Sequence, residues 1–174
     1  MREVYVIIDM QNDFITGPLG TAQAREIPKR IEAKIQALRR AEKRDTDLIF
    51  TQDTHDPDYL KTQEGKKLPV PHCLKNSRGW NICPTLLPYT MTADIYEKPS
   101  FGCPDLVAAV KDYEIITLMG LCTDICVITN AFLLKSWYPE KNIVVDATCC
   151  AGVTPESHER ALAAMEACQI EIIR

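Results

Sequence analysis

Apolar residues along the chain fall into short runs, and between several of these runs the apolar positions recur three and four residues apart. The runs are Val4–Asp9, Asp47–Gln52, Ala93–Tyr96, Glu114–Met119, Asn142–Asp146 and Ile170–Ile173. Their length and their Val and Ile content predict six strands. Pro28 opens the first helical stretch, whose inward face is Ile31, Ile35, Leu38 and Ala41, with Lys and Arg opposite. Pro104 opens a shorter one carrying Leu106, Val107 and Val110. From Thr123 to Trp137 a helix is expected that is apolar on most faces, as at a buried position or a subunit contact. Pro155 opens the last, with Ala161, Leu162, Met165 and Cys168 inward.

Strands alternating with helices require a sheet of parallel strands buried on both faces. Right-handed crossovers then give an α/β, three-layer doubly wound fold: a mostly parallel six-stranded sheet with helices on both faces. One domain is expected over residues 1–174. From Asp53 to Thr92 the pattern breaks, with only a faint helical spacing near Cys83–Leu87. Irregular segments of that length in compact domains are often functional.

Composition narrows the function classes. A hydrophobic fraction of 46% with 25% charged residues is that of a soluble globular chain. The net charge of −4, with Lys and Arg scattered, gives no footprint for nucleic acid. No apolar run is long enough for a bilayer, and the N-terminus enters a strand without a leader pattern, so no membrane partner is expected. Eight cysteines are present, but none are paired in C-x-x-C spacing, and a chain with this α/β pattern needs no covalent staples. Free thiols and a cytoplasmic location are the expectation.

Doubly wound sheets bind ligands at the carboxyl ends of their strands. There the chain places Asp9, Lys98, the pair Asp53 and His55, and the turn from Gly120 to Cys126. A thiol in the first turn of a helix meets the positive end of the macrodipole, which favours thiolate. Lys98 would add to that by Coulomb attraction, Asp9 would accept the proton, and backbone N–H groups from Cys122 to Cys126 would hold an oxyanion. Each residue also has a plainer reading: a loop cap for Asp9, a solvated cation for Lys98, a small buried hydrophobe for Cys126. Asp53 and His55, two apart at a strand end, point the same way, and His72 would complete a three-ligand set for Zn, Mn or Fe(II). Taken alone, that spacing fits structural or solvated side chains better than a metal site.

Four segments carry a family resemblance. Ile8-Asp9-Met10-Gln11-Asn12-Asp13-Phe14 resembles the D-x-Q-x-D-F motif of the isochorismatase-like cysteine hydrolases, the superfamily that contains the nicotinamidases. Gly120 to Val127 is similar to its G-x-x-T-D-x-C-V nucleophile motif, and Glu97 to Gly102 to its lysine segment. Asp146-Ala147-Thr148-Cys149-Cys150 resembles its D-A-x-x-S strand end, with Cys150 in place of serine. The resemblance implies a catalytic triad of Asp9, Lys98 and Cys126, a cis peptide between Leu121 and Cys122, and an oxyanion hole from the N–H groups of Cys122 and Cys126. It implies Phe14 as a ring-stacking residue, and Asp53, His55 and His72 as ligands of a divalent metal that binds a pyridine nitrogen, zinc first and Mn or Fe as alternatives. Two departures are visible. Pro69 stands where many nicotinamidases carry tryptophan, and the insert before His72 holds Lys61, Lys66 and Lys67 rather than aromatic residues.

The function that resemblance implies is a cysteine amidohydrolase of the nicotinamidase branch, cleaving a small carboxamide, nicotinamide first, through a thioester on Cys126. A related amidase or hydrolase of the same family with another small substrate, and a non-catalytic metal-binding member, are the alternatives. Aspartate-based phosphotransfer would also use Asp after the first strand, but requires a second Asp where Gln11 stands. Trp80 is a candidate core or lid residue, and the apolar Thr123–Trp137 stretch allows a homo-oligomer.

Overall fold

The computed structural model describes residues 2–41 and 46–174. Met1, at the head of the N-terminal stretch considered above, lies outside them. In chain order the elements are β1 (Glu3–Ile8), α1 (Asn12–Ile15), α2 (Ile27–Arg40), β2 (Thr46–Asp53), α3 (Gln63–Lys67), β3 (Asp94–Lys98), α4 (Asp105–Ala109), β4 (Ile115–Leu121), α5 (Ile128–Trp137), β5 (Asn142–Ala151), α6 (Pro155–Ala167) and β6 (Glu171–Ile173). The six strands form one sheet in the order β3-β2-β1-β4-β5-β6, with every pairing parallel. The chain starts in the middle, winds to one edge, returns beside β1, and winds to the other.

Two apolar layers cover the sheet. Alternate residues of each strand face opposite sides, so Val4, Val6 and Ile8 of β1 pack with Leu106, Leu134, Leu162 and Met165 beneath α4, α5 and α6. Tyr5 and Ile7 face the other way, onto Ile27, Ile31 and Ile35 of α2, Phe14 of α1, and Leu86 and Tyr89. The doubly wound, two-sided fold expected above is what the chain adopts.

Several boundaries differ from the sequence reading. The Thr123–Trp137 helix is two pieces: a wide π-helical turn, Thr123–Val127, followed by α5. β5 does not end at Asp146 but continues to Ala151, because its register against β4 shifts and Cys150 then pairs with Gly120. Asp146 marks that irregularity, its Oδ1 accepting bonds from the amide and hydroxyl of Thr148 and its Oδ2 meeting Lys34 at 2.8 Å. Cys168 is exposed rather than inward, since it follows the last turn of α6. Ala41, the C-cap of α2, is also exposed. Near Cys83–Leu87 a 3₁₀ turn forms only from Leu87 to Thr92, and α1 is too short to leave a periodic signature. All eight cysteines are free. Among the described residues no helix is long and apolar enough to cross a membrane.

Gly120 allows β1 and β4 to meet beside the site. Its φ of +123° suits glycine, and a Cβ there would lie 2.1 Å from the Ile8 carbonyl oxygen. Gly120→Ala is expected to lower stability by about 3 kcal/mol in urea unfolding, from backbone strain plus the clash. A loss below about 1 kcal/mol would show that β1 and β4 do not constrain each other here.

Candidate active site

The carboxyl ends of β1, β2 and β3 and the turn after β4 converge on one buried cluster. Asp9 follows β1 directly and adopts φ 48°, a conformation Asp tolerates better than most residues. Thr51 of β2 fixes it twice: the Asp9 amide reaches Thr51 Oγ1 at 3.2 Å, and that hydroxyl donates to Asp9 Oδ1 at 2.6 Å. Lys98, the last residue of β3, is 1% exposed. Its Nζ lies 2.7 Å from Asp9 Oδ2, 3.3 Å from Asp53 Oδ1, 2.8 Å from the Ser100 carbonyl and 3.6 Å from Cys126 Sγ. The three residues read as a triad are therefore in mutual reach, with Asp53 of the other expected group on the same ammonium.

Cys126 sits in the π-helical turn, not in the first turn of a regular helix. The Leu121–Cys122 peptide before it is cis, and the Cys122 carbonyl accepts the amides of Ile125 and Val127 at 3.1 Å each. Here the electrostatics correct the sequence reading. Burial, with the Asp9 carboxylate beside it, pushes the Cys126 thiol well above its ordinary range, and the lowering by Lys98 does not outweigh this. Burial likewise raises Asp9, against the pull of Lys98. Burial opposes the charge on Lys98, but Asp9, Cys126 and Asp53 together raise it. Burial thus favours the neutral thiol at Cys126 and raises the proton affinity of Asp9, while the surrounding anions favour the charged form of Lys98.

Asp53, His55 and His72 form a second buried group, with donor atoms all within 4.8 Å of one another. His55 Nε2 is 3.0 Å and His72 Nε2 3.5 Å from Asp53 Oδ2. His72 Nδ1 donates to the Val70 carbonyl at 2.8 Å, which leaves Nε2 to face the group as an acceptor when the ring is neutral. Burial opposes the Asp53 charge, yet the bonds from His55 and His72 hold its carboxyl well below the usual range. One ionised carboxylate and two imidazoles, buried and convergent, fit a divalent transition metal.

Three residues of this site escaped the sequence reading. Glu64, placed by the cap bond from Gly65 to Thr62 at the start of α3, brings Oε1 within 3.7 Å of His55 and 3.5 Å of His72. Tyr59, almost fully buried, packs its ring 4.8 Å from His55 and 5.0 Å from His72. Gln11, given above as a motif position but with no role assigned, grips both backbone groups of Asp53: its Oε1 accepts the Asp53 amide and its Nε2 donates to the Asp53 carbonyl, each at 2.7 Å. Its place in the D-x-Q-x-D-F segment was the available signal for Gln11.

Phe14 is buried with its ring 5.5 Å from His72, beside the ligand group. Trp80 is a wall of the loop below: its indole donates to Thr54 Oγ1 at 2.9 Å and its carbonyl accepts from Gln11 and Gln52. A groove of about 470 Å³ borders the site on the His55 side, lined among others by His55, Glu64, Leu68, Phe101 and Ile125. Trp80 does not line it, whereas the insert after His55 does.

The Isochorismatase domain family model matches residues 3–174, and the chain belongs to that family. A Bacillus subtilis relative, described as the uncharacterized isochorismatase family protein PncA, is 28% identical over 176 residues, covering 93% of each chain. The crystal structure of nicotinamidase/pyrazinamidase PncA from Bacillus subtilis superposes with a TM-score of 0.84 at 25% identity, over 100% of both chains. The pyrazinamidase of Pyrococcus horikoshii, solved in complex with zinc, shares the fold at a TM-score of 0.81 and 20% identity, over 100% of this chain and 99% of its own.

Gln11→Ala strips the partners from both buried backbone groups of Asp53, each worth about 1–3 kcal/mol when left unsatisfied. The expected result is a loss of at least about 2 kcal/mol in urea unfolding. Gln11→Glu, which keeps only the acceptor, is expected to cost a similar amount, so a neutral result for both would refute the clamp.

Proposed function

We propose that this protein is an amidohydrolase that cleaves a small carboxamide through a thioester on Cys126, with nicotinamide as the best-supported substrate and nicotinate and ammonia as products. The observation that carries the reading is the position of Lys98 Nζ, 2.7 Å from Asp9 and 3.6 Å from Cys126, directly beside a buried Asp-His-His group. The similarity to nicotinamidase/pyrazinamidase PncA supports the substrate class.

In this reading Asp9 takes the thiol proton as sulfur attacks the amide carbon. Burial raises the proton affinity of Asp9, which makes it a better acceptor for the thiol proton than a solvated carboxylate. Lys98 stays charged, steadies both anions and never gives up its proton. The oxyanion that forms on the amide oxygen is held by the backbone N–H groups of Cys122 and Cys126. Asp9 returns the proton to nitrogen, the C–N bond breaks, and ammonia leaves. A water, deprotonated by Asp9, then attacks the thioester; the C–S bond breaks, the acid departs and the thiol recovers its proton.

Phe14 would stack on the flat substrate ring. Asp53, His55 and His72 would hold a divalent metal, zinc being the best match to this donor set and Glu64 standing next to it. Such an ion, when bound, supplies a Lewis-acid partner for a ring nitrogen. The zinc complex of the Pyrococcus horikoshii pyrazinamidase supports the choice of metal.

The test is ammonia release from nicotinamide against a panel of other primary amides, before and after chelation. Nicotinamide is expected to be the preferred substrate, with activity lowered by chelation and restored by Zn²⁺ or Mn²⁺. Cys126→Ala should lower turnover by about 10,000-fold or more, as removal of a nucleophile does elsewhere. His72→Ala should weaken turnover without abolishing it. Faster release from a different amide would reassign the substrate, and no release from any amide would favour a non-catalytic metal-binding protein.

A further inference from the structure

Asn130 is completely buried in the second turn after Cys126, and all its polar atoms are used. Its Nδ2 donates to the carbonyl of Cys126 at 2.8 Å and to the carbonyl of Phe101 at 3.2 Å, while its Oδ1 accepts the amide of Cys103 at 2.8 Å. Only one orientation of the amide satisfies this set, since the two carbonyls need donors and the amide needs an acceptor.

The bond to Cys126 is a side chain reaching back four residues to a carbonyl. The neighbouring Thr129 does the same, donating to the Ile125 carbonyl at 2.6 Å. Together they tie down the wide turn that carries the thiol. A hydroxyl suffices for that task. An asparagine reaches further, and here the extra reach spans to a different segment, the one that leaves β3 after Lys98. That segment is held at its start by Lys98 itself, through the Ser100 carbonyl. At its end it is held by Asn130. Phe101, between the two holds, is half-exposed and lines the groove with Ile125.

We propose that Asn130 is a positioning residue that locks the Cys126 turn to the Lys98–Cys103 segment, so that sulfur, ammonium and the Phe101 wall keep one relative placement. This goes beyond the amidase reading; only its turnover arm rests on that reading. Small displacements of reacting groups cost large factors in rate, so the lock should act on turnover more than on substrate affinity.

The experiment compares Asn130→Ala with Asn130→Ser, each with urea unfolding in parallel. Serine restores the reach to the Cys126 carbonyl but not to Phe101 or Cys103. In both variants the Cys103 amide is expected to exchange its hydrogen about tenfold faster or more than in the parent, having lost its acceptor. In both, kcat for amide hydrolysis is expected to fall by about tenfold with KM changed less than about twofold. Asn130→Ser matching the parent in exchange and kcat would overturn the lock and leave a local helix bond. A lowered urea midpoint with unchanged kcat would likewise overturn it, as a purely structural role. If the parent releases no ammonia, the amidase reading fails by itself, and fast Cys103 exchange in Asn130→Ser still supports the lock.

Discussion

One buried ammonium organises this molecule's working end. Lys98 has three protons and four anionic or electron-rich neighbours: Asp9, Asp53, the Ser100 carbonyl and the Cys126 sulfur. Burying a cation and two carboxylates is expensive unless each finds its partner with good geometry. That demand explains why the strands end where they do. β2 and β3 each run on until Asp53 and Lys98 are their last residues, paired directly in register, so that the two charges meet at a fixed point of the sheet. Asp9 arrives from the adjacent strand, and Thr51 of β2 holds it there.

The same burial sets the chemistry. In water a cysteine beside a lysine would lean towards thiolate, and a carboxylate beside a lysine would be a poor base. Removing water reverses both tendencies, raising the thiol and the Asp9 carboxyl together. The ammonium is raised by its anionic neighbours, against the cost of its burial.

How far the sequence carries the structure differs from element to element. Strands rich in Val and Ile, and helices opened by Pro28 and Pro155, declare themselves because periodicity and proline chemistry are local properties. Asp9, Asp53, His55, Lys98 and Cys126 were legible as chemistry at strand ends, since a doubly wound sheet gathers those ends on one side, whereas His72, in the irregular segment, was tied to them chiefly by the family resemblance. Gln11 and Asn130 were not legible in this way. Each is an ordinary amide whose role is written in the backbone of a distant segment, at Asp53 in one case and at Phe101 and Cys103 in the other. The wide turn at Thr123 escaped for a related reason: its residues have good helical spacing, and only the packing reveals the change of pitch. The thiolate expectation failed because charge pairs can be read from residue types, whereas desolvation depends on how much protein closes over them.

The sharing of Lys98 by Asp9 and Asp53 also bears on how the site can change. A substitution that removed the Asp53 carboxylate would strip one of two counter-ions from a cation sealed away from solvent, and the remaining one is Asp9, the proposed base. The ligand group and the nucleophile therefore form a single electrostatic unit. In the proposed function, a change in ion preference at one end would therefore be felt in proton transfer at the other.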